Sequence, residues 1–383
     1  MRLGRVVAAI CVAALAAACA TPRPAPEPSR PPERLPPPIE RPTPRPPPAP
    51  PTRIELVALP GWSAEDHAAA FAAFRDTCRP TGPLGGICAS ARAAGPLGRG
   101  AARVFLETAF QAEPLAGTGV LTGYYAPVYA ARRAPDAEFS AAVRPKPADL
   151  QTIDAGVLDP LQAGHPVAAQ LQPDGGLLPY PDRAAIEAAP ADKPLAWMRP
   201  EELFFLQIQG SGVLVFEDGR RLKAFYAANN GRPFVGVANA MRDQGLLPAD
   251  AISGDSIRAW LAAHRGPQAE AIMRLNPRYA FFRLAPDDGK PPVGAAGVAL
   301  PAGRAIAVDP TYHAYGELFW IDGEAPVLAG AFPHYRRLVT ALDTGGAIRG
   351  DIRADLYLGQ GEAAGAEAGR IRHTLRLYRL VPR

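Results

Sequence analysis

Three aspartates and five glycines are concentrated near the end of the chain, in DTGGAIRGDIRADLYLGQG. Asp343, Asp351 and Asp355 lie within thirteen residues of one another, and Asp343 precedes a glycine pair typical of a turn. A carboxyl group can transfer protons in catalysis, and partial burial raises its pKa toward the working pH. Glycines at this density indicate tight turns or a ligand close to the backbone. Alternatively, all three aspartates cap turns or face solvent.

Asp355 is the leading catalytic candidate because it lies inside ADLYLG, a strand-like pattern in which aspartate is disfavoured. Strict alternation places Asp355, Tyr357 and Gly359 on one face of the strand and Leu356 and Leu358 on the other. We therefore expect the carboxyl group to lie on the face away from the core, beside an aromatic ring and a bare glycine surface.

Amide and aromatic side chains occur in several short clusters elsewhere, and both types bind sugars, by hydrogen bonds and by ring stacking. Each cluster alone is more often part of a core or a turn, so the signal is their number. Gln207 and Gln209 lie in a segment interpreted as a strand, where they would share one face. The candidate sugar-binding residues are Tyr124, Tyr125, Gln207, Gln209, Asn229 and Asn276.

Signatures of other chemistries are absent from the sequence. It contains neither a GxGxxG nor a Walker loop, and Ser211 lacks the flanking pattern of a nucleophile elbow. The six histidines show no HxxxH or HExxH spacing, and a zinc site needs more ligands than two cysteines. We therefore expect no metal and no cofactor. A net charge of +4 with 20% charged residues argues against a dedicated nucleic-acid binder.

The chain begins with a predicted export signal. Arg2 and Arg5 precede an apolar run from Val6 to Ala18, which is too short to span a membrane. Small residues before Cys19 resemble a lipobox, in which the cysteine carries lipid, although the usual leucine lies one residue too far upstream. The alternative is ordinary cleavage that releases a soluble periplasmic protein.

Residues 20–54 are interpreted as a disordered spacer, because sixteen of the 31 residues from 21 to 51 are proline. Proline lacks a backbone N–H and restricts φ, so this stretch cannot form sheet or helix and extends as polyproline II. At about 3.1 Å per residue it would reach roughly 90 Å. After a lipid anchor, such a spacer would let the protein act at a distance from the membrane.

About 330 residues remain after the signal and spacer, more than one compact core usually holds, so two domains are expected. Cys78 and Cys88 lie ten residues apart and could pair in an oxidising compartment, closing a small loop. The alternative is two buried free thiols.

Local patterns predict both helices and strands. Helical spacing of apolar residues predicts helices over residues 63–80, with a serine N-cap, over 100–112 and, in three segments, over 234–275. ELFFLQIQGSGVLVFEDGRRLKAFYA predicts a β-hairpin that turns at Asp218-Gly219. GVLTGYYAPVY predicts a strand, and short apolar runs after Asn276, GVAL among them, predict further strands at the intervals of an antiparallel barrel or sandwich.

Seven segments, in this order, resemble the membrane-bound lytic murein transglycosylase A family. They are GYYAPVY, FFLQIQGSGVL, YAANNGRPF, NPRYAFFR, GAAGVALPAGRAIAVDP, DTGGAIRG and DLYLGQG, and the resemblance covers residues 55–383. Two positions depart from the family pattern: Ala228, where glycine is frequent, and Leu342, where glutamine is common. Neither residue carries the chemistry.

The resemblance implies a mainly β, α+β fold with N-terminal helices, in which a second β-rich domain is inserted into a double-psi β-barrel domain. The barrel domain would comprise residues 55–127 and 282–383, the glycan-binding insert residues 128–281, and the lipoprotein signal peptide residues 1–19. Glycan would lie in the groove between the two domains. The strands after Asn276 would then not form a domain alone, as their linear order suggests.

The family's activity implies cleavage of the β-1,4 bond between N-acetylmuramic acid and N-acetylglucosamine in peptidoglycan, with a 1,6-anhydromuramoyl product. Asp355 in RADLY occupies the position of the catalytic acid, and Asp343 in DTGG that of a supporting carboxylate. Arg349 is expected to attract the lactyl or peptide carboxylates of the substrate. The alternatives are a hydrolase with Asp355 and Asp343 as acid and base, and a glycan-binding lipoprotein without turnover.

Partners and location follow from the same resemblance. The glycan strands of peptidoglycan are the expected ligand, and proteins of cell-wall synthesis or of the divisome are candidate partners. Ala20, rather than aspartate, follows Cys19, and by resemblance to bacterial lipoproteins this indicates a lipid anchor in the outer membrane, on its periplasmic face.

Overall fold

The computed structural model describes residues 52–162, 164, 166–248, 252–325 and 334–383, so the predicted signal and most of the predicted spacer lie outside the described residues. Within these ranges no helix is long and apolar enough to cross a membrane. The helices are α1 (His67–Thr77), α2 (Gly85–Ala94), α3 (Arg99–Ala109), α4 (Arg183–Ala188), α5 (Pro200–Gln209), α6 (Val237–Asp243), α7 (Gly254–Ala263), α8 (Pro267–Arg274) and α9 (Glu362–Ala368). The strands are β1 (Phe110–Pro114), β2 (Gly119–Ala126), β3 (Val128–Ala130), β4 (Ala141–Val143), β5 (Leu150–Asp154), β6 (Pro166–Leu171), β7 (Leu177–Pro179), β8 (Ala196–Met198), β9 (Ser211–Val215), β10 (Arg221–Asn229), β11 (Ala280–Pro286), β12 (Ala305–Ala307), β13 (Leu318–Glu324), β14 (His334–Asp343), β15 (Arg353–Gln360) and β16 (Arg372–Pro382).

Six strands form a closed ring, which we call the barrel. The order is β16-β13-β14-β12-β15-β2, and β2 pairs back with β16, while β1 extends the sheet beside β16. The pairs β12–β14 and β15–β2 are parallel. Because β2 precedes the other five strands by about half the chain, the barrel is assembled from two distant segments. The strands after Asn276 therefore do not form a domain alone.

The barrel interior is apolar, and its buried side chains include Leu121, Ile306, Phe319, Val339 and Leu356. Burying such a side chain stabilises the fold by about 1.5–3 kcal/mol. Closure also leaves no free sheet edge in the ring. The barrel is therefore a rigid support for the side chains that project outward from its strands.

The N-terminal helices α1–α3 pack against the outside of the barrel, where Trp62 and Trp320 meet edge to face. α1 begins after Asp66, whose side chain accepts a hydrogen bond from the Ala69 N–H, so the N-cap lies three residues beyond the serine predicted from the sequence. A disulfide joins Cys78, at the end of α1, to Cys88 in α2. The two cysteines are thus paired rather than free.

A second sheet has the order β11-β10-β9-β3, and we call it, with α4–α8 and the small sheets β4-β8 and β5-β6-β7, the insert. The predicted hairpin turn is confirmed, since β9 and β10 are joined at Asp218-Gly219 and Gly219 has the positive φ of 78° that favours glycine. The three helical segments predicted within residues 234–275 are α6, α7 and α8.

The first half of the predicted hairpin is wrong, because FFLQIQ belongs to helix α5. Pro200 occupies the first turn, Glu201 and Glu202 follow it, and Gly210 ends the helix with a φ of 83°. Proline at the start, acids in the first turn and glycine after the end all favour a helix. These boundary signals outweighed the strand preference of the apolar residues between them.

GVAL, residues 297–300, is a loop rather than a strand. Gly297 has a φ of 71°, and Val298 and Leu300 pack beside Leu342 and Tyr357. This loop covers part of the barrel wall that carries the candidate catalytic residues.

Candidate active site

Asp343 and Asp355 lie on one rung of the barrel wall, two strands apart. Ala307 of β12 is the register partner of both, and Asp355 is also the partner of Thr122 in β2. Side chains on one rung point to the same face, and adjacent strands lie about 4.8 Å apart. The two aspartates therefore share a face at a Cα separation of roughly 10 Å, with only the Ala307 methyl group on the strand between them.

One oxygen of Asp355 is oriented by a hydrogen-bond chain and the other is open. Thr122 Oγ1 donates to Asp355 Oδ1 at 2.5 Å, and Arg353 Nη2 donates to Thr122 Oγ1 at 2.8 Å. Because a guanidinium only donates, the threonine hydroxyl must direct its own proton at Asp355. No described residue donates a hydrogen bond to Asp355 Oδ2. That oxygen is available to a ligand.

Burial raises the pKa of Asp355 above its ordinary value. The hydrogen bond from Thr122 and the charge of Arg353 act in the opposite direction, and the negative charge of Asp343 adds to the rise. A carboxyl group with a raised pKa keeps its proton to higher pH, which is what a general acid requires.

Both oxygens of Asp343 accept hydrogen bonds. The Tyr124 hydroxyl donates to Oδ2 at 2.8 Å, and the Ala295 N–H donates to Oδ1 at 3.0 Å. Glycine at 294 permits this approach, because a Cβ there would lie 2.5 Å from the Leu342 carbonyl oxygen. Burial raises the pKa of Asp343 although both hydrogen bonds lower it. Asp343 is therefore a carboxyl group that is held in place through both of its oxygens.

The open aromatic face predicted beside Asp355 does not exist. Tyr357 is only 1% exposed, because Leu300 and Leu342 cover its ring and Tyr124 packs against it with ring centroids 5.3 Å apart. Asp355 itself is half-buried. Leu356 lies in the barrel core as predicted. Alternation along β15 was correct, but a loop distant in sequence covers the face that it predicted to be open.

Tyr125 and Gln209 join the barrel to the insert. The Tyr125 N–H donates to Gln209 Oε1 at 3.1 Å, and Arg258 Nη1 donates to the Tyr125 hydroxyl at 3.5 Å. Neighbouring residues in a strand point to opposite faces, so Tyr125 is directed away from the face that Tyr124 shares with Asp355. Gln209 thus lies near the site, but its side-chain oxygen accepts the hydrogen bond from the Tyr125 N–H.

Gln207 and Gln209 do not share one face, contrary to the sequence prediction. Both lie in helix α5, where residues two apart are rotated by roughly 200° around the axis. Gln207 Nε2 donates to the Ala280 carbonyl oxygen of β11 at 3.3 Å. The two amides therefore cannot point at the same sugar.

Asn276 is 2% exposed and holds a loop of the insert together, so it has no access to a glycan in this structure. Its Oδ1 accepts hydrogen bonds from the N–H groups of Val235, at 3.1 Å, and Arg278, at 3.3 Å. Asn229 has a similar local role, because its Oδ1 accepts from the Gly231 N–H at 2.7 Å, but it is half-buried and also donates to the Tyr226 hydroxyl. Arg349 is exposed and donates to the Ile348 carbonyl oxygen at 3.0 Å.

Sequence reasoning missed the residues that orient the two carboxyl groups. Thr122 and Arg353 each precede a named residue, Tyr124 or Asp355, by two positions in the same strand, so the period of a strand could have indicated both. The position of the Ala295 N–H beside Asp343 could not be inferred from any such period. Among the described residues, no group of three His, Cys, Asp or Glu side chains could hold a metal ion.

Two family profiles match the chain. The MltA specific insert domain matches residues 120–283, and the 3D domain matches residues 304–381. The membrane-bound lytic murein transglycosylase A of Vibrio cholerae is 29% identical over 271 residues, which make up 69% of this chain and 66% of that protein. The matched region thus spans just under two thirds of that relative's length.

Solved structures agree over a longer part of the chain. A membrane-bound lytic murein transglycosylase from Agrobacterium tumefaciens is 31% identical, with a TM-score of 0.74, and the match covers 86% of this chain and 97% of that one. The structure of Escherichia coli MltA with bound chitohexaose is 26% identical, with a TM-score of 0.62, over 83% of this chain and 89% of that one. The predicted fold, a double-psi barrel with an inserted β-rich domain, is confirmed.

Proposed function

The chain belongs to the membrane-bound lytic murein transglycosylase A family, and we propose that it is itself a lytic transglycosylase of peptidoglycan. It would cleave the β-1,4 bond between N-acetylmuramic acid and N-acetylglucosamine and leave a 1,6-anhydromuramoyl end. Chitohexaose, the ligand of the Escherichia coli relative, is an oligosaccharide, which supports glycan strands as the ligand of this chain.

The observation that carries the proposal is the difference between the two carboxyl groups. Asp355 has a raised pKa, one oxygen oriented by Thr122 and one oxygen open, whereas each oxygen of Asp343 already accepts a hydrogen bond. The site therefore offers one proton-transfer group. One group suffices when the nucleophile belongs to the substrate, whereas a glycoside hydrolase normally needs two carboxyl groups that act on substrate and water.

In the proposed reaction, protonated Asp355 donates its proton to the glycosidic oxygen as the bond from that oxygen to C1 of the muramoyl residue breaks. The resulting Asp355 carboxylate then takes the proton of the muramoyl C6 hydroxyl, whose oxygen bonds to C1 and closes the anhydro ring. Asp355 ends protonated, so no water is consumed. The intramolecular attack gains from high effective molarity. Asp343 would support the positive charge that develops at C1.

The products distinguish this reaction from hydrolysis, the principal alternative. Purified protein is incubated with peptidoglycan sacculi, and the soluble muropeptides are analysed by mass spectrometry. We expect muramoyl ends one water lighter than hydrolytic ends, and no reducible sugar end. Reducible ends would establish the hydrolase with Asp343 as base, and absence of products would leave a glycan-binding protein.

For the location, relatives of this chain are named membrane-bound, and we propose a lipid anchor at Cys19 in the outer membrane. The anchor would be followed by the proline-rich spacer, which extends toward the peptidoglycan. In cell fractionation, Cys19→Ala should move the protein from the membrane pellet to the soluble periplasmic fraction, with unchanged activity on isolated sacculi. A variant that still pellets with outer membranes would show that Cys19 is not the anchor.

A further inference from the structure

Arg278 of the insert lies against the Asp343 turn of the barrel, close enough to Arg349 for the charge of Arg349 to act on it. The Arg278 side chain, from the insert, lies against Gly346, three residues after Asp343, and a Cβ at 346 would lie 3.2 Å from both Cζ and Nε of Arg278. Arg349 follows three residues later in the same turn. Any larger residue at 346 would displace the Arg278 guanidinium.

Neither guanidinium has a carboxylate partner within ion-pair distance among the described residues. Arg278 Nη1 donates to the Arg232 carbonyl oxygen at 3.3 Å, and Arg349 Nη1 donates to the Ile348 carbonyl oxygen at 3.0 Å. Asp309 feels the charge of Arg349, but its oxygens accept hydrogen bonds from Thr311 and Gly350.

The surroundings of Arg278 disfavour its positive charge. Burial lowers the pKa of Arg278, and the like charge of Arg349 lowers it further, while nearby Tyr226 acts in the opposite direction. Arg304 and Arg199, by contrast, are half-buried arginines that are neutralised by Glu65 and Glu202. Two unneutralised guanidinium groups that are brought together by residues far apart in sequence indicate a site for an anionic group of a ligand.

The position of the pair relative to Asp343 defines which part of a glycan could supply that anion. Three residues of backbone span at most about 10 Å, so a group bound at Gly346 is close to a sugar bound at Asp343. Tyr226, 46% exposed, adds an aromatic surface beside the pair. A neutral sugar could contact this aromatic surface, but only an acidic substituent would pair with the two arginines.

We propose that Arg278 and Arg349 together bind a carboxylate carried by a substituent of the glycan, such as a lactyl ether or a peptide stem, and thereby select acidic glycans over neutral ones. This inference rests on the proposed function, because it names the substrate feature recognised beside the same catalytic face. It adds Arg278 to the expected role of Arg349 and makes the pair, rather than the amides of the insert, the determinant of specificity.

The test measures binding of two probes to the Asp355→Asn protein, in which turnover is suppressed. The probes are chitohexaose, which is neutral, and peptidoglycan glycan strands of similar length that retain their carboxylates. We expect Arg278→Gln and Arg349→Gln each to weaken binding of the acidic probe about tenfold more than binding of the neutral probe, since a charge-assisted hydrogen bond is lost. High salt should reduce this difference.

Arg220→Gln is the matched control, because Arg220 lies beside the hairpin turn, just before β10 and roughly 30 Å from Asn229 at the other end of that strand. It should leave the Kd of both probes unchanged. Arg278→Lys, which keeps the charge, should retain most of the preference for the acidic probe, whereas a structural role for the arginine would weaken both probes alike. Equal losses for the two probes, or no loss in either glutamine variant, would overturn the inference and leave the proposed activity intact. Failure of the parent protein to bind either probe would overturn both.

Discussion

In the barrel, Asp343 and Asp355 project from one rung of paired strands, and their surroundings orient them without burying them beyond the reach of a ligand. In the insert, the amides of Asn276 and Gln209 accept hydrogen bonds from backbone N–H groups. Both regions carry polar residues in motifs with aromatic neighbours. In the barrel these residues form the candidate catalytic centre, and in the insert most of them hold loops and helix ends in place.

The difference follows from how the backbone N–H and C=O groups of each region find hydrogen-bond partners. Strands in a closed barrel pair their N–H and C=O groups with one another, which leaves polar side chains free for chemistry. Loops and helix ends have no such partners, and a buried N–H without a hydrogen bond costs about 1–3 kcal/mol. Asn276 therefore accepts hydrogen bonds from the N–H groups of Val235 and Arg278, although its motif NPRYAFF resembles a sugar-binding cluster.

The largest expected effect belongs to the barrel. Asp355→Asn should lower kcat on sacculi by at least about 10³-fold, because the same carboxyl group acts first as acid and then as base. Asparagine can still accept the Thr122 hydrogen bond, so the fold and glycan binding should remain. The measurement is the initial rate of release of soluble muropeptides. A variant with more than a tenth of the parent rate would remove Asp355 from the catalytic role.

A change in the insert should alter stability rather than chemistry. Asn276→Ala removes, from a buried position, the acceptor of two backbone N–H groups and should reduce the free energy of unfolding by about 2 kcal/mol. Asn229 is half-buried and accepts a hydrogen bond from one backbone N–H, so Asn229→Ala should reduce the free energy of unfolding by about 1 kcal/mol. Urea denaturation followed by circular dichroism measures both. If Asn276→Ala instead raised KM with unchanged stability, the amide would be a ligand-binding group and the comparison would fail.

Within the barrel, Thr122→Val tests the hydrogen-bond chain. Loss of the hydroxyl removes an interaction that lowers the pKa of Asp355, so that pKa should rise. Activity requires protonated Asp355 and declines as the pH rises through its pKa, so the alkaline limit should move to higher pH. Loss of orientation should lower kcat roughly tenfold at the optimum. An alkaline limit that moves to lower pH would contradict this assignment of the limit to Asp355.

Asp343→Asn should lower kcat, because it removes the carboxylate that would support the positive charge at C1. Its pH shift is the smallest one expected and has the opposite sign to that of Thr122→Val. Asp343→Asn removes a negative charge that raises the pKa of Asp355, so the alkaline limit of kcat/KM should move to lower pH. The shift should be smaller than that of Thr122→Val, because the charge of Asp343 affects the pKa of Asp355 less than the Thr122 hydrogen bond does. The full pH–rate profile of the variant measures it. A profile identical to that of the parent protein would mean that the two carboxyl groups are not electrostatically coupled.

Several local features were predictable because they depend on neighbours in sequence. The Asp218-Gly219 turn, the helices α1, α3 and α6–α8, and the burial of Leu356 follow from turn chemistry and from the periods of helix and strand. Helix α5 was predicted as a strand, although Pro200 and Gly210 marked its ends. That error also placed Gln207 and Gln209 on one face.

The sequence by itself, through its ordered motifs, determined the family, the barrel with its insert and the two aspartates as candidates. Only the tertiary structure decided that Ala307 lies between Asp343 and Asp355, that the loop through Leu300 covers Tyr357, and that Arg278 reaches Gly346. The physical reason is that each of these contacts joins segments that only closure of the barrel, or packing of a loop or of the insert against it, brings together. No local period or propensity encodes such contacts, because they depend on which distant strands become neighbours.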